Sequence, residues 1–315
     1  MARPLRVALI AEEATGARVL RSLLDRGVEP VLVLTDSVRA HTARGGPVAE
    51  AARSAGLSVE PAARVRDPAF AARLADCADL VLNVHALHVL PPAVVAAPRI
   101  GALNLHPGPL PELAGLNAPS WAIYLGEREH GVTLHWMSAE IDAGPIAYCE
   151  RFTLTGRERA FQLAATCARL GVALVERAVD EFLAGREPPR CPQDLSRRRL
   201  FPAGPPCNGR LEWSRPVREL EALVRACDYG PFPSPWGEPW ILRSDGLTLS
   251  VTHAEIVGGS ASHPAGTVIA AHGRRAVVAA ADGLLAVRLA APSAAGDDGR
   301  SSTRSLLVPG ERLPV

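Results

Sequence analysis

At 315 residues, 48% of them hydrophobic and 21% charged, the chain has the composition of a soluble globular protein with material for one large domain or two ordinary ones. A formal net charge of +1 gives no global argument for a nucleic-acid or membrane partner. All 34 formal positive side chains are arginine, which removes Schiff-base lysine chemistry and reads mainly as coding bias in a GC-rich genome.

Near the N-terminus, Arg3 and Arg6 flank the start of an apolar run, Val7 to Ala11, that is too short for a signal peptide and is followed at once by Glu12 and Glu13. It reads as a first strand, "RVALIAE". The helical spacing of Val19, Leu20, Leu23 and Leu24 follows it, then a second strand, "EPVLVLTD". Helices over "PVAEAARSAGL" and "PAFAARLADC" precede buried strands "ADLVLNVH" and "ALNLH". Strands alternating with helices of this length predict a parallel α/β sheet. "APSWAIYLGE" reads as helix, "GVTLHWM" as a strand, and the stretch from Ala160 to Gly185 as one long amphipathic helix.

A Pro- and Arg-rich stretch, "REPPRCPQDLSRRRLFPAGPPCNGR", shows little periodicity and is expected to be an exposed joint. After it come a helix over "PVRELEALVRACD" and short strands with Gly and Asp-Gly turns, the pattern of a small β-barrel, and a loop over "SAAGDDGRSST". The expected division is 1–188, a joint over 189–208, and 209–315. No apolar run approaches the roughly 20 residues of a membrane helix. Six scattered cysteines lack a C-x-x-C pair or zinc spacing, so reduced thiols, no metal and a cytoplasmic location are expected.

Asn104 and His106 stand two apart at the C-terminal end of the strand "ALNLH", so both side chains face one side. In open α/β sheets that end is where ligands bind. Asp142 lies in "SAEIDAGPI", a turn closed by Gly144 and Pro145. An amide can donate to an oxyanion, a histidine can move a proton, and a carboxylate can orient the histidine. The same residues could equally be a turn cap, a satisfied core histidine and an Asx-turn aspartate. Spacing leaves both possibilities open. The other histidines, His135 among them, read as surface or satisfied core groups.

The segments "NLHPGPLP", "GLNAPSWAI", "GVTLHWM" and "EIDAGPI", in that order, resemble the signature of 10-formyltetrahydrofolate-dependent formyltransferases. "GRLEWSRPVRELEALVRA" and "LLVPGERLPV" extend the resemblance to the methionyl-tRNA branch of that family over nearly the whole chain. The resemblance implies a Rossmann-like catalytic domain followed by an OB-like barrel, and a catalytic set of Asn104, His106 and Asp142. It also implies that 10-formyltetrahydrofolate, the co-substrate, is held at two places. One is His88, Val89 and Leu90; the other is Ser138, Ala139, Glu140, Ile141 and Asp142. In the implied mechanism Asn104 and protonated His106 stabilise an oxyanion while Asp142 organises His106 and a water.

The expected acceptor is a primary amine of a small metabolite or a carrier-protein-bound aminoacyl group, with Phe232 and Trp236 near its entry. Packing inside the barrel is the alternative for Trp236. Methionyl-tRNA is the second acceptor, disfavoured because "IAEEATGA" stands where that branch has "GTP", and because the segment after Thr35 lacks its basic, lysine-bearing loop. A hydrolase, or a relative that only binds folate, is the further alternative.

Overall fold

The computed structural model describes residues 4–36, 46–258, 262–290 and 306–315. The expectations for a short segment after Thr35 and for the "SAAGDDGRSST" loop therefore fall largely outside the described residues. In chain order the elements begin with β1 (Arg6–Ala11), α1 (Glu13–Asp25), β2 (Glu29–Leu34), α2 (Gly46–Ser54), α3 (Phe70–Cys77), β3 (Leu80–Val84), α4 (Pro92–Ala96) and β4 (Gly101–His106). Then come β5 (Ala114–Gly115), α5 (Ala118–Tyr124), β6 (Glu129–Trp136), β7 (Ile146–Thr153), α6 (Ala160–Leu183) and β8 (Leu200–Phe201). The chain finishes with α7 (Val217–Ala226), β9 (Trp240–Leu242), β10 (Thr248–Val257), β11 (Val268–His272), β12 (Arg275–Ala279) and β13 (Leu284–Leu289).

Two units separate. The first comprises 1–115, 129–153 and 164–201, the second 116–128, 154–163 and 202–315. The first holds a six-stranded sheet in the order β2-β1-β3-β4-β6-β7. β1, β2, β3 and β4 run parallel, as the alternation predicts. β6 and β7 are antiparallel, so the sheet is mixed rather than parallel throughout. The helix between β4 and β6, α5, belongs to the second unit, so no crossover helix brings β6 back in parallel. β7 is an edge strand carrying exposed Glu150 and Arg151, and such a pattern does not read as a buried strand.

The central strand β3 is buried at every position. Ala8, Ile10, Leu32, Leu34, Val81 and Ala102 pack with Phe70, Leu74 and Val94 on one face of the sheet. Asp79, at the start of β3, is 1% exposed. Its carboxylate accepts from the Arg6 backbone N–H at 3.1 Å, from the Arg6 guanidinium at 3.3 Å and from Arg99 Nε at 3.0 Å. Burial pushes that carboxyl up, but the Arg6 and Arg99 bonds outweigh it and hold it down at about 2.

The second unit contains a five-stranded antiparallel sheet, β11-β12-β13-β10-β9, the small β domain expected after the joint. α7 buries Val217, Leu220, Leu223 and Val224. Within the same unit, Ser120 Oγ on α5 donates to the Ala226 carbonyl at 2.8 Å.

Replacing Asp79 by Ala leaves Arg6 and Arg99 without their shared acceptor beside the central strand. Urea unfolding of Asp79→Ala at pH 7 should show a loss of about 2–3 kcal/mol, the scale for a buried charge-assisted set. A loss under about 0.5 kcal/mol, the scale of an ordinary surface substitution, contradicts the role given to Asp79.

Candidate active site

The carboxyl end of β4 carries the candidate residues, and the alternation of the strand turns Asn104 and His106 to the same side. His106 is 4% exposed and Asp142 is 8% exposed. Asp142 Oδ2 lies 3.5 Å from His106 Nδ1, and Asp142 Oδ1 lies 3.4 Å from Asn104 Nδ2. The fold therefore brings Asn104, His106 and Asp142 into one cluster. Asp142 occupies the left-handed region, with φ +52°, in a turn whose Gly144 has no room for a Cβ, since one built there would sit 1.9 Å from the Trp136 carbonyl oxygen.

Two residues passed over in the sequence complete the cluster. β6 pairs antiparallel with β4 so that His135 lies opposite Asn104. His135 is 2% exposed, with Nε2 at 3.0 Å from Asn104 Nδ2 and 3.4 Å from Asp142 Oδ1. Its Nδ1 lies 3.0 Å from the Trp136 carbonyl oxygen, which can only accept, so Nδ1 carries a proton. In neutral His135, Nε2 is then the acceptor for the Asn104 amide. Asn83 on β3 lies opposite Asn104 on its other side, and Asn83 Nδ2 donates to Asn104 Oδ1 at 2.8 Å. The amide of Asn104 is fixed from both neighbouring strands. The strand pattern of "GVTLHWM" was the one available signal for His135, but the register that sets it against Asn104 is not written in that segment.

The Gly115 N–H donates to Asp142 Oδ2 at 2.8 Å. Burial pushes the Asp142 carboxyl up, yet positive charge on the neighbouring imidazoles, His106 first and then His135, and this N–H outweigh burial and hold it well below the ordinary carboxylate range. Burial is also the main influence on His106 and lowers it, opposed by Asp142 and by the Leu113 carbonyl, whose oxygen lies 2.7 Å from Nε2. That carbonyl keeps the proton on Nε2 and leaves Nδ1 of the neutral ring as a base. Burial thus favours the neutral His106 ring, and Asp142 favours the protonated form that the resemblance implies.

The residues expected to hold the co-substrate divide. Val89 is 62% exposed and Ile141 47% exposed, as apolar walls for a flat ring need to be, with Leu87 also exposed. Leu90 is a core residue packed with Val94 and Ala102, so its side chain is not part of a ligand surface. His88 pairs with Asp36 at 2.8 Å, Glu140 with Arg198 at 3.0 Å, and Ser138 Oγ donates to the Glu140 carbonyl. Ala139 has no polar side-chain atom and so offers only its backbone. In the second unit Trp236 is 5% exposed and edge-on to Trp121 of α5 at 4.9 Å, so it is a packed residue, against a helix rather than inside the barrel, and its side chain is not at an exposed entry. Phe232 is 57% exposed, tilted on Phe161 at 5.5 Å. Among the described residues no group of three or more His, Cys, Asp or Glu is placed to hold a metal ion, and no helix is long and apolar enough to cross a membrane.

His130, fully buried on β6 with Nε2 at 3.1 Å from the Pro107 carbonyl oxygen, is lowered by burial from 6.5 to about 4. Its folded value is depressed, so the unfolded chain takes up a proton first as the pH falls through 6.5, and stability declines from there until about pH 4. His106 acts in the same direction. Chemical denaturation at pH 7 and pH 5 should differ by about 2 kcal/mol from His130 alone. The substitution His130→Gln should remove that part of the difference. A stability independent of pH over this window contradicts burial of the neutral ring.

Comparison with known proteins finds matches over both units. Residues 5–179 match the formyl transferase family and residues 205–295 the formyl transferase C-terminal domain. The methionyl-tRNA formyltransferase of Chlorobium chlorochromatii (strain CaD3) is 30% identical over 303 residues, 92% of each chain. That of Stutzerimonas stutzeri (strain A1501) is 32% identical over 295 residues, covering 91% of this chain and 90% of its own. An N-formyltransferase from Helicobacter canadensis, solved with folinic acid and dTDP-3-aminofucose, shares the fold at 12% identity with a TM-score of 0.66, covering 91% of this chain and all (100%) of its own. With the first family model spanning more than half of the 315 residues and full-length relatives at 30% identity or above, this chain belongs to the formyl transferase family.

Proposed function

We propose that this protein transfers a formyl group from 10-formyltetrahydrofolate to a primary amine, with Asn104, His106 and Asp142 as the catalytic set. The observation that carries the proposal is the convergence of Asn104 and His106, at the end of β4, on the buried Asp142 carboxylate. The acceptor nitrogen attacks the formyl carbon, and the Asn104 Nδ2–H that rests 3.4 Å from Asp142 Oδ1 is given up to the carbonyl oxygen as negative charge develops there. Neutral His106 takes the amine proton on Nδ1, and the imidazolium that forms is stabilised by Asp142 beside it. As the bond from carbon to folate N10 breaks, that proton passes to N10, which restores His106. The exposed apolar side chains Val89 and Ile141 fit a flat ring at this strand end.

Full-length similarity to methionyl-tRNA formyltransferases supports the aminoacyl amine of methionyl-tRNA as acceptor, ahead of the small or carrier-bound amine suggested by sequence patterning. One observation favours the small amine as a second reading. Cationic side chains near the candidate site already have acidic partners: Arg198 with Glu140 at 3.0 Å, Arg151 with Glu112 at 2.9 Å, and Arg197 with Glu112. A phosphate chain needs unneutralised cations.

The test is transfer of labelled formyl from 10-formyltetrahydrofolate to charged initiator methionyl-tRNA and to a panel of amino acids, amino sugars and diamines, at rising salt. Formyl-methionyl-tRNA with steeply salt-dependent saturation is expected. Transfer only to a small amine, indifferent to salt, replaces the acceptor by the second reading. Release of formate alone, with every amine refused, overturns the transferase proposal. His106→Ala and Asp142→Asn should each lower kcat by about 100-fold or more with little change in KM for 10-formyltetrahydrofolate. Because the base is a neutral histidine held below 6.5, kcat should fall on the acid side at a pH below that value.

A further inference from the structure

The segment expected to be an exposed joint is exposed along most of its length, but two of its side chains turn inward. Gln193 Nε2 donates to the carbonyl oxygens of Asp142 at 2.9 Å and Gly144 at 2.6 Å. Arg198 Nη2 donates to the Ile141 carbonyl at 2.7 Å, and Arg198 Nη1 pairs with Glu140 at 3.0 Å. Three carbonyls of the turn that carries Asp142 are thus bound from residues 193–198. Backbone pairing between Cys191 and Ile146, at 2.8 and 3.0 Å, fixes where the segment starts.

Its far end reaches the same carboxylate by another route. β8 pairs parallel with β5, setting Phe201 beside Gly115, the residue whose N–H donates to Asp142 Oδ2. Gly115 has φ +96°, and a Cβ there would lie 2.3 Å from the Phe201 carbonyl oxygen, so only glycine admits this approach. Both the backbone turn that aims Asp142 and the donor that receives its charge are therefore held by one stretch of chain.

We infer that residues 191–201 are a strap that sets the catalytic carboxylate, with Gln193 as its positioning residue. This rests on the catalytic role proposed for Asp142. A non-glycine residue at positive φ stays there only where its surroundings over-determine it, and the two bonds from one Gln193 amide do so here. Without them the turn relaxes, and the carboxylate recedes from His106 Nδ1. The imidazolium formed during proton transfer then loses its counter-charge.

Gln193→Ala, and Gln193→Glu, which keeps the size but loses the donor, test this together with Asp142→Asn and the double variant Gln193→Ala/Asp142→Asn. Each Gln193 variant should lower kcat for 10-formyltetrahydrofolate with methionyl-tRNA, or with the small amine that proves active, by about 10- to 100-fold. KM for the formyl donor should change less than about threefold, the split expected when an interaction acts only in the transition state. The His106 imidazole resonance, read by NMR without any acceptor, should titrate at lower pH in Gln193→Ala, the direction also taken by Asp142→Asn. The double variant should be no slower than Asp142→Asn alone. Parental kcat and parental His106 titration in both Gln193 variants overturn the strap. So does a loss in the double variant that multiplies the two single losses, because Gln193 is then acting on the fold at large. Should Gln193→Ala not fold, Gln193→Glu and Arg198→Met give the same readouts. Parental turnover in Asp142→Asn removes the catalytic role of that residue instead; an impaired Asp142→Asn beside an unaffected Gln193→Ala removes only the strap.

Discussion

The site depends on keeping one carboxylate charged where almost no water reaches it. An isolated buried carboxylate is too costly to persist and neutralises by taking a proton. Asp142 avoids this because a backbone N–H and an Asn amide donate to it and two histidine rings beside it can carry the counter-charge. The four partners come from three stretches: Asn104 and His106 from β4, His135 from β6, and Gly115 from β5. The mixed sheet and the short β5–β8 pairing bring those stretches to one point. A parallel β6 would present a different register to β4 and leave Asn104 without His135.

Much of this was legible in the sequence, and the remainder was hidden for identifiable reasons. The pair Asn104 and His106 could be read directly, because a spacing of two in a strand fixes a common side. The Asp142 turn could be read from Gly144 and Pro145, though not its positive φ. His135 was set aside because its importance lies in a cross-strand register, which depends on how β6 pairs and not on its own neighbours. Gln193 was hidden more deeply, in a Pro- and Arg-rich stretch without periodicity. Such composition does mark an exposed segment, and residues 191–201 are mostly exposed, but it says nothing of two inward side chains. The tandem of an α/β unit and a small antiparallel one was legible because periods of 3.6 and 2 are local properties. β7 was not, because the edge position of Glu150 and Arg151 conceals its inner face.

Neighbouring candidate positions separate by burial in the same way. Val89 and Leu90 are adjacent, yet one projects into solvent and the other packs with Val94 in the core. Only the exposed one can offer a side-chain wall to a ligand, whereas Leu90 holds the strand end in place. Trp236 likewise joins Trp121 in the interior of its unit, leaving Phe232 as the exposed aromatic residue of that pair. Sequence patterning marks such residues as a group, and burial then assigns each to packing or to contact.

The protonation of His106 is set by the same balance of burial and charge. Two buried imidazoles beside one carboxylate cannot both be charged without leaving excess positive charge in a medium that solvates it poorly. With Asp142 ionised and the Leu113 carbonyl holding the Nε2 proton, His106 turns Nδ1 to the group that stabilises its charged form. Asn104 is held between Asn83 and His135, so the plane of its amide is set before charge develops on the formyl oxygen. Reorientation of dipoles is a large part of the barrier in water, and here it is completed during folding. The cost appears elsewhere, in the positive φ of Asp142 and in two positions, 115 and 144, where only glycine fits.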